Sequence, residues 1–531
     1  MRVNANARLN GGFAPRVGAS HGRGYPVTDQ SISPTSTPHT PTALTRLMDR
    51  ARAHPDDVSN LHQLGIALAE GQQPKQAVEA LRQAATLAPQ NAHLQADLAQ
   101  ALARVGDFAA CLHHLGQAIA FEPHNVNFLC QLAHVLLTLD QVTDAQAVMT
   151  AAVQLAPNHA YAYEVLGLTQ YTSLQWQEAA QSFSKAVQLN PTSAAAYNNW
   201  ALATREMGKL HEAIQLFGEA RRLDPRFDDA AFNQGTTHLL QGEFEQGWPL
   251  YLAHKREQRL RDRPQFGALW TGTESLDGRT ILIYREQGLG DTLQFIRYLR
   301  ALNERGARVY FAPHTPLVPL LNHTRLPFTV TTLDETRLNT DFHCPLLSLP
   351  ALLEASQAAP VPYIDPAPDR VAAWKTRLGT HGFKIGLHWQ GSVGNVDVGR
   401  SMPLSAFAPL ASLPNVRLIS LQKGPAAAQV ETVGFPVESL TGDWDQDAFM
   451  DTAAVLANLD VLVCADSAIT HLAGAMGVPT WVALKKVPDW RWQLDTPESR
   501  WYPTMRLFRQ STDGDWGAVV DSMVAALRHM S

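Results

Sequence analysis

The sequence is short of cysteine, of charge in excess of one sign and of long apolar runs, and each shortage removes a class of protein. Its four cysteines, Cys111, Cys130, Cys344 and Cys464, lie far apart in apolar stretches and form no C-x-x-C pair, so neither a zinc cage nor a disulfide framework is suggested. They read as buried thiols of a reducing compartment. A net charge of -6 with no long Lys/Arg run leaves no electrostatic footprint for nucleic acid. No stretch reaches the roughly 18 apolar residues of a membrane span, and the first residues lack the apolar block of a secretory signal. These absences predict a cytoplasmic protein with no membrane span. Residues 1–42 are short of acids as well: Arg2, Arg8, Arg16 and Arg23 face only Asp29, among many Gly, Ser, Thr, Pro and Asn. Such a composition cannot offset the entropy of ordering, so the segment is expected to be disordered, a transit peptide being the alternative.

What the chain has instead is a period. Prolines stand at Pro55, Pro89, Pro123, Pro157, Pro191 and Pro225, each 34 residues after the last. In the same frame small residues recur at Ala77, Cys111, Ala145, Ala179, Ala213 and Gly247, and bulky ones at Leu81, Leu115, Met149, Phe183, Phe217 and Tyr251. A repeat of this length, with small residues where two helices touch and proline after the second, resembles the tetratricopeptide repeat over residues 43–255. One helix pair cannot bury its apolar face alone, so neighbours stack into a superhelix with a groove that accepts peptide or protein. One series, Gln63, Asp97, Gln131, Val165, Asn199 and Asn233, places four amides in six equivalent positions, a ladder able to pair with a bound backbone. Asparagine at this place also serves ordinary solenoid packing.

Beyond about residue 263 short apolar runs alternate with amphipathic helices, the pattern of an open parallel α/β sheet. The segment REQGLGDTLQF (285–295) lies where the expected strand TILIYRE (280–286) gives way to a helix burying Leu293, Ile296, Leu299 and Leu302. Gly288 and Gly290 allow close approach there, and the helix start offers free N–H groups. The pattern is neither a dinucleotide fingerprint, since Leu293 stands where a third glycine belongs, nor a phosphate loop, since no Gly-Lys-Ser/Thr occurs. Asp291 instead opens the helix as cap or as base. A second such unit lies at VLVCADSAITHLAGAMG (461–477), where Ser467 and His471 share one helix face just after Asp466. With the helix N-terminus they make a diphosphate cradle. The run DWD (443–445) reads as a solvated turn, and Trp490, Arg491 and Trp492 as able to stack on a base or sugar, the two tryptophans serving otherwise as packing.

REQGLGDTLQFIRYL together with ADSAITHLAGAMGVPTWV, FHCPLLSLP, SLQKGPAAAQ and PDWRWQL resembles the C-terminal part of bacterial proteins that join tetratricopeptide repeats to a GT-B glycosyltransferase related to the lipopolysaccharide heptosyltransferases. The plan is also similar to that of the O-linked N-acetylglucosaminyltransferases and bacterial flagellin glycosyltransferases. The resemblance implies a tetratricopeptide superhelix (43–255), a linker (256–275) and two Rossmann-like lobes of GT-B type (276–370 and 371–531). It implies Asp291 as the base that deprotonates the acceptor hydroxyl. Asp466, Ser467, Ala468 and His471 match the donor site, with Ala468 in place of a glycine. Arg400 replaces a lysine that meets the diphosphate, and a guanidinium forks differently from an ammonium. Gln422 and Lys423, in a strand-end loop, are implied to touch the nucleotide, as Gly288 and Gly290 are. The implied activity is inverting transfer of a sugar from a nucleotide sugar to a protein hydroxyl, flagellin being one acceptor of this kind, without metal or further cofactor. The rival readings are an interaction module with an inactive GT-B domain, and a transferase acting on a lipid-linked or saccharide acceptor.

Overall fold

The computed structural model describes residues 41–253, 266–324, 326–334, 338–353, 358–391, 399–440, 444 and 449–528. The expected disordered segment up to residue 40 lies outside the described residues, as do Asp443 and Asp445 of the DWD run.

The repeats form a helical solenoid. It begins with α1 (Pro41–Ala53), α2 (Val58–Glu70), α3 (Pro74–Leu87), α4 (Ala92–Arg104), α5 (Phe108–Phe121), α6 (Val126–Thr138) and α7 (Val142–Leu155). It continues through α8 (Ala160–Thr172), α9 (Trp176–Leu189), α10 (Ala194–Glu206), α11 (Leu210–Leu223), α12 (Asp228–Leu240) and α13 (Phe244–Tyr251). The helix starts obey the same period as the prolines. Two residues after five of them stand Asp57, Asn91, Asn125, His159 and Ser193, and each caps its helix by accepting a backbone N–H. The turn inside each pair is left-handed at one recurring position: Gln72, Gly106, Asp140, Leu174, Gly208 and Gly242 all have positive φ. Ala77, Ala145, Ala179 and Ala213 are fully buried at the helix crossings, and Phe183 and Phe217 fill the space between. All four cysteines are buried, and none of them forms a disulfide.

Two parallel sheets follow. The first comprises β1 (Ala268–Leu269), β2 (Thr280–Tyr284), β3 (Arg308–Ala312), β4 (Thr329–Val330) and β5 (Phe342–Pro345), in the order β1-β5-β2-β3-β4. The second comprises β6 (Phe383–His388), β7 (Val416–Ser420), β8 (Glu438–Ser439), β9 (Val461–Ala465), β10 (Thr480–Leu484) and β11 (Met505–Arg509), in the order β11-β10-β9-β6-β7-β8. The expected linker 256–275 therefore contains a strand, too short and too lightly patterned to be read from sequence. The helix after β2 begins at Leu289, two residues before Asp291, as α14 (Leu289–Phe295), and tightens to a 3-10 turn (Ile296–Tyr298) before α15 (Leu299–Glu304). Leu293, Ile296, Leu299 and Leu302 are fully buried, as their spacing predicts.

The second lobe starts slightly earlier than residue 371, at α16 (Pro368–Leu378). Its Arg370 and Trp374 both donate to Asp451 Oδ1, at 3.1 and 3.0 Å, on α17 (Met450–Leu456). It is completed by α18 (Ala468–Met476) after β9 and by α19 (Trp516–Arg528). One continuous apolar cluster runs from Leu239 and Tyr251 at the solenoid end through Ile281 and Phe295 of the first lobe to Leu462, Trp490 and Trp501 of the second. Separate clusters line the outer faces of the two sheets. Among the described residues no helix is long and apolar enough to cross a membrane.

Gly235 shows how tightly the solenoid closes. A Cβ there would stand 2.7 Å from the Tyr251 backbone nitrogen and 2.9 Å from the Gly247 carbonyl oxygen, whereas Ala133 and Ala201 occupy the same place in other repeats. Because the obstacle is backbone, Gly235→Ala should cost about 1–3 kcal/mol. A urea unfolding midpoint unchanged from wild type would contradict this packing.

Candidate functional site

The site is built where the N-termini of α14 and α18 meet. Each helix follows the carboxyl end of a strand, β2 in one sheet and β9 in the other, which is where parallel sheets expose unsatisfied N–H groups. The helices touch at Gly290. A Cβ on Gly290 would lie 2.9 Å from His471 Cδ2 and 3.4 Å from Ala468 Cα. Gly290 thus serves the approach of one helix to the other. Gly288, with φ of -77°, needs no glycine for its backbone and instead donates its N–H to Asp291 Oδ2 at 2.8 Å. Asp291 sits at the third helical position and reaches back to the cap, which corrects the expectation that it caps the helix itself.

Both oxygens of Asp291 are engaged, because Oδ1 accepts from Arg491 Nη2 of the second lobe. Arg491 also donates Nη1 to Asp489 Oδ1 at 2.8 Å and Nε to Gln294 Oε1 at 2.6 Å. Burial alone would lower the Arg491 pKa; Asp489 and Asp291 raise it instead, so the guanidinium stays charged. Arg491, expected with the two tryptophans to stack on a base or sugar, is instead the paired cation of the junction. Its signal was an arginine between two tryptophans that both turn out to be buried. Trp490 packs 5.4 Å from Trp248 and 5.6 Å from Tyr251, and Trp492 stacks on His471 at 5.4 Å, so neither tryptophan offers a free face for a base.

His471 is buried, with Nδ1 at 3.1 Å from the Tyr502 hydroxyl. Burial, aided by Arg491, lowers its pKa to about 3, so it acts as a neutral hydrogen-bonding ring. Ser467 caps α18, and its hydroxyl pairs with His388 Nδ1 at 3.2 Å; burial and then Lys423 lower the His388 pKa to about 4. His388 ends β6 and was not anticipated, although the strand-end rule that located Asp466 points to it equally. Asp466 is buried with Oδ2 3.9 Å from Arg400 Nη1. Burial raises its pKa to about 6 against the opposing charge of Arg400. A shallow pocket lined by Arg400, Asp466, Lys485, Pro488 and Asp489 opens here, with no room for a water-sized sphere.

Two candidates belong elsewhere. Gln422 is buried and fully spent on the neighbouring loop: Oε1 accepts from the Trp389 and Gln390 N–H groups at 3.0 and 2.9 Å, and Nε2 donates to the Gln390 and Lys423 carbonyls. Its carboxamide braces the end of β6 and has nothing left for a nucleotide. Lys423 Nζ lies 3.3 Å from Thr452 Oγ1 and 4.7 Å from the Trp444 ring centre, and burial lowers its pKa to about 8. The amide series is partly engaged within the solenoid itself. Asn233 donates to Asn198 at 3.0 Å, Asn198 to Asn199 at 3.3 Å, Asp97 pairs with His62 at 2.6 Å, and Val165 is sealed in the core.

The solenoid docks on the same region. Lys485 Nζ donates to Glu206 Oε2 of α10 at 2.6 Å, and Arg205 donates to the other oxygen at 3.1 Å. Burial would raise the Glu206 pKa, but Lys485 and Arg205 outweigh it and hold the carboxylate ionised. The segment from Lys485 to Gln493 therefore touches all three parts of the chain. Among the described residues no cluster of three or more His, Cys, Asp or Glu side chains could hold a metal ion.

The architecture is thus that of a helical-repeat protein carrying a two-sheet α/β unit. Tetratricopeptide-repeat family models match residues 58–91, 130–194 and 198–259, so the solenoid consists of these repeats. Protein FlbA of Caulobacter vibrioides is 27% identical over 328 residues, 56% of this chain and 54% of that protein; the chain thus spans about half the length of this curated relative. Among solved structures, a thermophilic tetratricopeptide-repeat protein of Thermus thermophilus is 19% identical, covering 34% of this chain and 99% of its own, with a TM-score of 0.32. Pseudomonas aeruginosa PilF is 18% identical, covering 40% and 94%, with a TM-score of 0.33.

Two titrations follow from the burial. The Asp466 carboxyl binds its proton more tightly folded (about 6) than unfolded, so its contribution to stability is full below about pH 4 and is lost as pH rises through about 6. His471 acts in the opposite sense: folded it resists the proton that the unfolded chain takes near pH 6.5, so stability falls as pH drops from about 6.5 toward 3. Asp466→Asn should flatten the decline between about pH 4 and 6 in urea midpoints measured across pH. An unaltered profile would show that Asp466 is not desolvated in the fold.

Proposed function

We propose that the chain is a glycosyltransferase of GT-B type that moves a sugar from a nucleotide-sugar donor to a protein hydroxyl brought by the tetratricopeptide solenoid. The observation that carries this reading is the meeting of α14 and α18, one helix start from each parallel sheet, at a junction ringed by Asp291, Arg400, Asp466, Ser467, His471 and Arg491. Two converging helix N-termini and two guanidinium groups are suited to a leaving nucleoside diphosphate, whose negative charge builds as the glycosidic bond breaks. A carboxylate on the facing lobe is suited to take the proton of an attacking Ser or Thr hydroxyl. Attack opposite to the departing diphosphate inverts the sugar carbon. The described geometry is a closed form: for this chemistry Asp291 must part from Arg491 and the lobes must separate to admit donor.

That closure favours a second reading, in which the α/β unit is an inactive platform and the protein acts as a tetratricopeptide interaction module. Asp291 and His471 are both spent on protein partners, as they would be in a structural junction. Thermal shifts of the full chain against nucleoside diphosphates and nucleotide sugars separate the two, because a ligand at a hundredfold its dissociation constant stabilises by about 2.7 kcal/mol. One nucleotide should give a selective shift. With that donor, Asp291→Asn should retain the shift while transfer to a Ser/Thr-containing protein falls by roughly 10²–10⁴. Silence across the panel would support the platform reading, and transfer to a saccharide or lipid-linked acceptor alone would reassign the acceptor.

A further inference from the structure

Around Arg491 the hydrogen-bond ledger is one-sided. Gln294 Nε2 is a buried N–H donor with no hydrogen-bond partner among the described residues, and the residue is wholly inaccessible. Gln294 is the residue whose Oε1 accepts from Arg491 Nε, so the unanswered amide nitrogen belongs to a direct neighbour of that guanidinium. Trp492, the next residue in the chain, is directed instead to the Asp466 side chain as a hydrogen-bonding neighbour. Buried donors left without acceptors each cost about 1–3 kcal/mol, and a native fold retains them where something else supplies the acceptor. What is missing is an oxygen-rich group. Among the described residues, the oxygens that accept from the Arg491 terminal nitrogens are those of Asp291 and Asp489.

We propose that Arg491 and Gln294 form an oxyanion subsite for the diphosphate of a nucleotide, and that Asp291 occupies this subsite as a placeholder when the ligand is absent. The inference rests on the glycosyltransferase reading for the identity of the anion. Diphosphate oxygens supply acceptors for Nη2 of Arg491 and Nε2 of Gln294, and a guanidinium presents its paired N–H groups to phosphate as well as it does to carboxylate. Once displaced, Asp291 retains only its bond from the Gly288 N–H, on the first lobe, and its Oδ1 becomes available to an acceptor hydroxyl. Donor binding and release of the carboxylate are then one exchange of partners at one cation. The empty protein accordingly holds its candidate base in check.

The competition gives the proposal a sign that a merely structural ion pair does not share. Titration calorimetry of the full chain with ADP, UDP, GDP and inorganic pyrophosphate should show binding of at least one, and Asp291→Asn should bind that probe about tenfold more tightly than wild type. Gln294→Glu, which keeps the acceptor for Arg491 but replaces the donor with an anion, should weaken it at least tenfold. If wild type binds a probe and these variants bind it with unchanged affinity, the subsite is wrong while the donor reading stands. If Asp291→Asn weakens binding, the placeholder is wrong. If wild type binds none of the four, the donor reading and the subsite fall together. Circular dichroism of each variant confirms that a loss reflects the site, and Arg491→Lys, which keeps the charge, should fall between wild type and Gln294→Glu.

Discussion

The structure depends on one buried cation. Burying a guanidinium is costly unless its N–H groups and its charge are both answered, and Arg491 is answered from two directions, by Asp489 on its own loop and by Asp291 and Gln294 on the first lobe. A lysine could carry the charge but could not divide three donors among three partners in fixed directions. Because two of those partners stand on α14, the pair fixes not only the distance between the lobes but the rotation of α14 against α18, and with it the contact of Gly290 with His471. Lys485, six residues earlier, ties the same loop to Glu206 of the solenoid. Three structural units are thereby held through seven consecutive residues, Lys485 to Arg491.

The rest of the interface works around this cation. Arg297, in the 3-10 turn after α14, donates to the Trp501 carbonyl at 2.8 Å and twice to the Ala359 carbonyl. Tyr363, in the connection between lobes, donates to the Leu293 carbonyl at 2.9 Å. These bonds end in backbone oxygens, so they survive side-chain changes in their acceptors. The aromatic residues Phe295, Trp490 and Trp501 fill the space between them and exclude water, which strengthens each polar contact.

How much of this was legible in the sequence depended on how local the signal was. The solenoid could be read because proline, small residues and bulky residues each recur at one spacing. The strands in TILIYRE and VLVCADS could be read because buried parallel strands are continuous apolar runs, and the two sites followed from the rule that ligands gather at strand ends. What could not be read was who pairs with whom across 200 residues. Asp291 looked available because nothing beside it in the chain is basic; its partner comes from a loop beyond β10. Gln422 looked like a ligand because its loop position is a ligand's position, and only folding shows that both ends of its amide are taken by the backbone. Gly290 was chosen for the right property and the wrong neighbour: it admits a close approach, but the described approach is that of another helix. The β1 strand, two residues long, has no pattern to detect.

The solenoid is attached at one end only. Among the described residues its last helices share the apolar cluster of the α/β unit, while α1 to α7 pack against one another and against α8 in clusters of their own. In a stack where each pair leans only on its neighbours, the free end is the one at which a pair can be gained or lost without disturbing the joint. Lineages carrying this architecture would therefore be expected to differ in reach at their amino-terminal side, while the two repeats nearest the sheets stay constant in number and spacing.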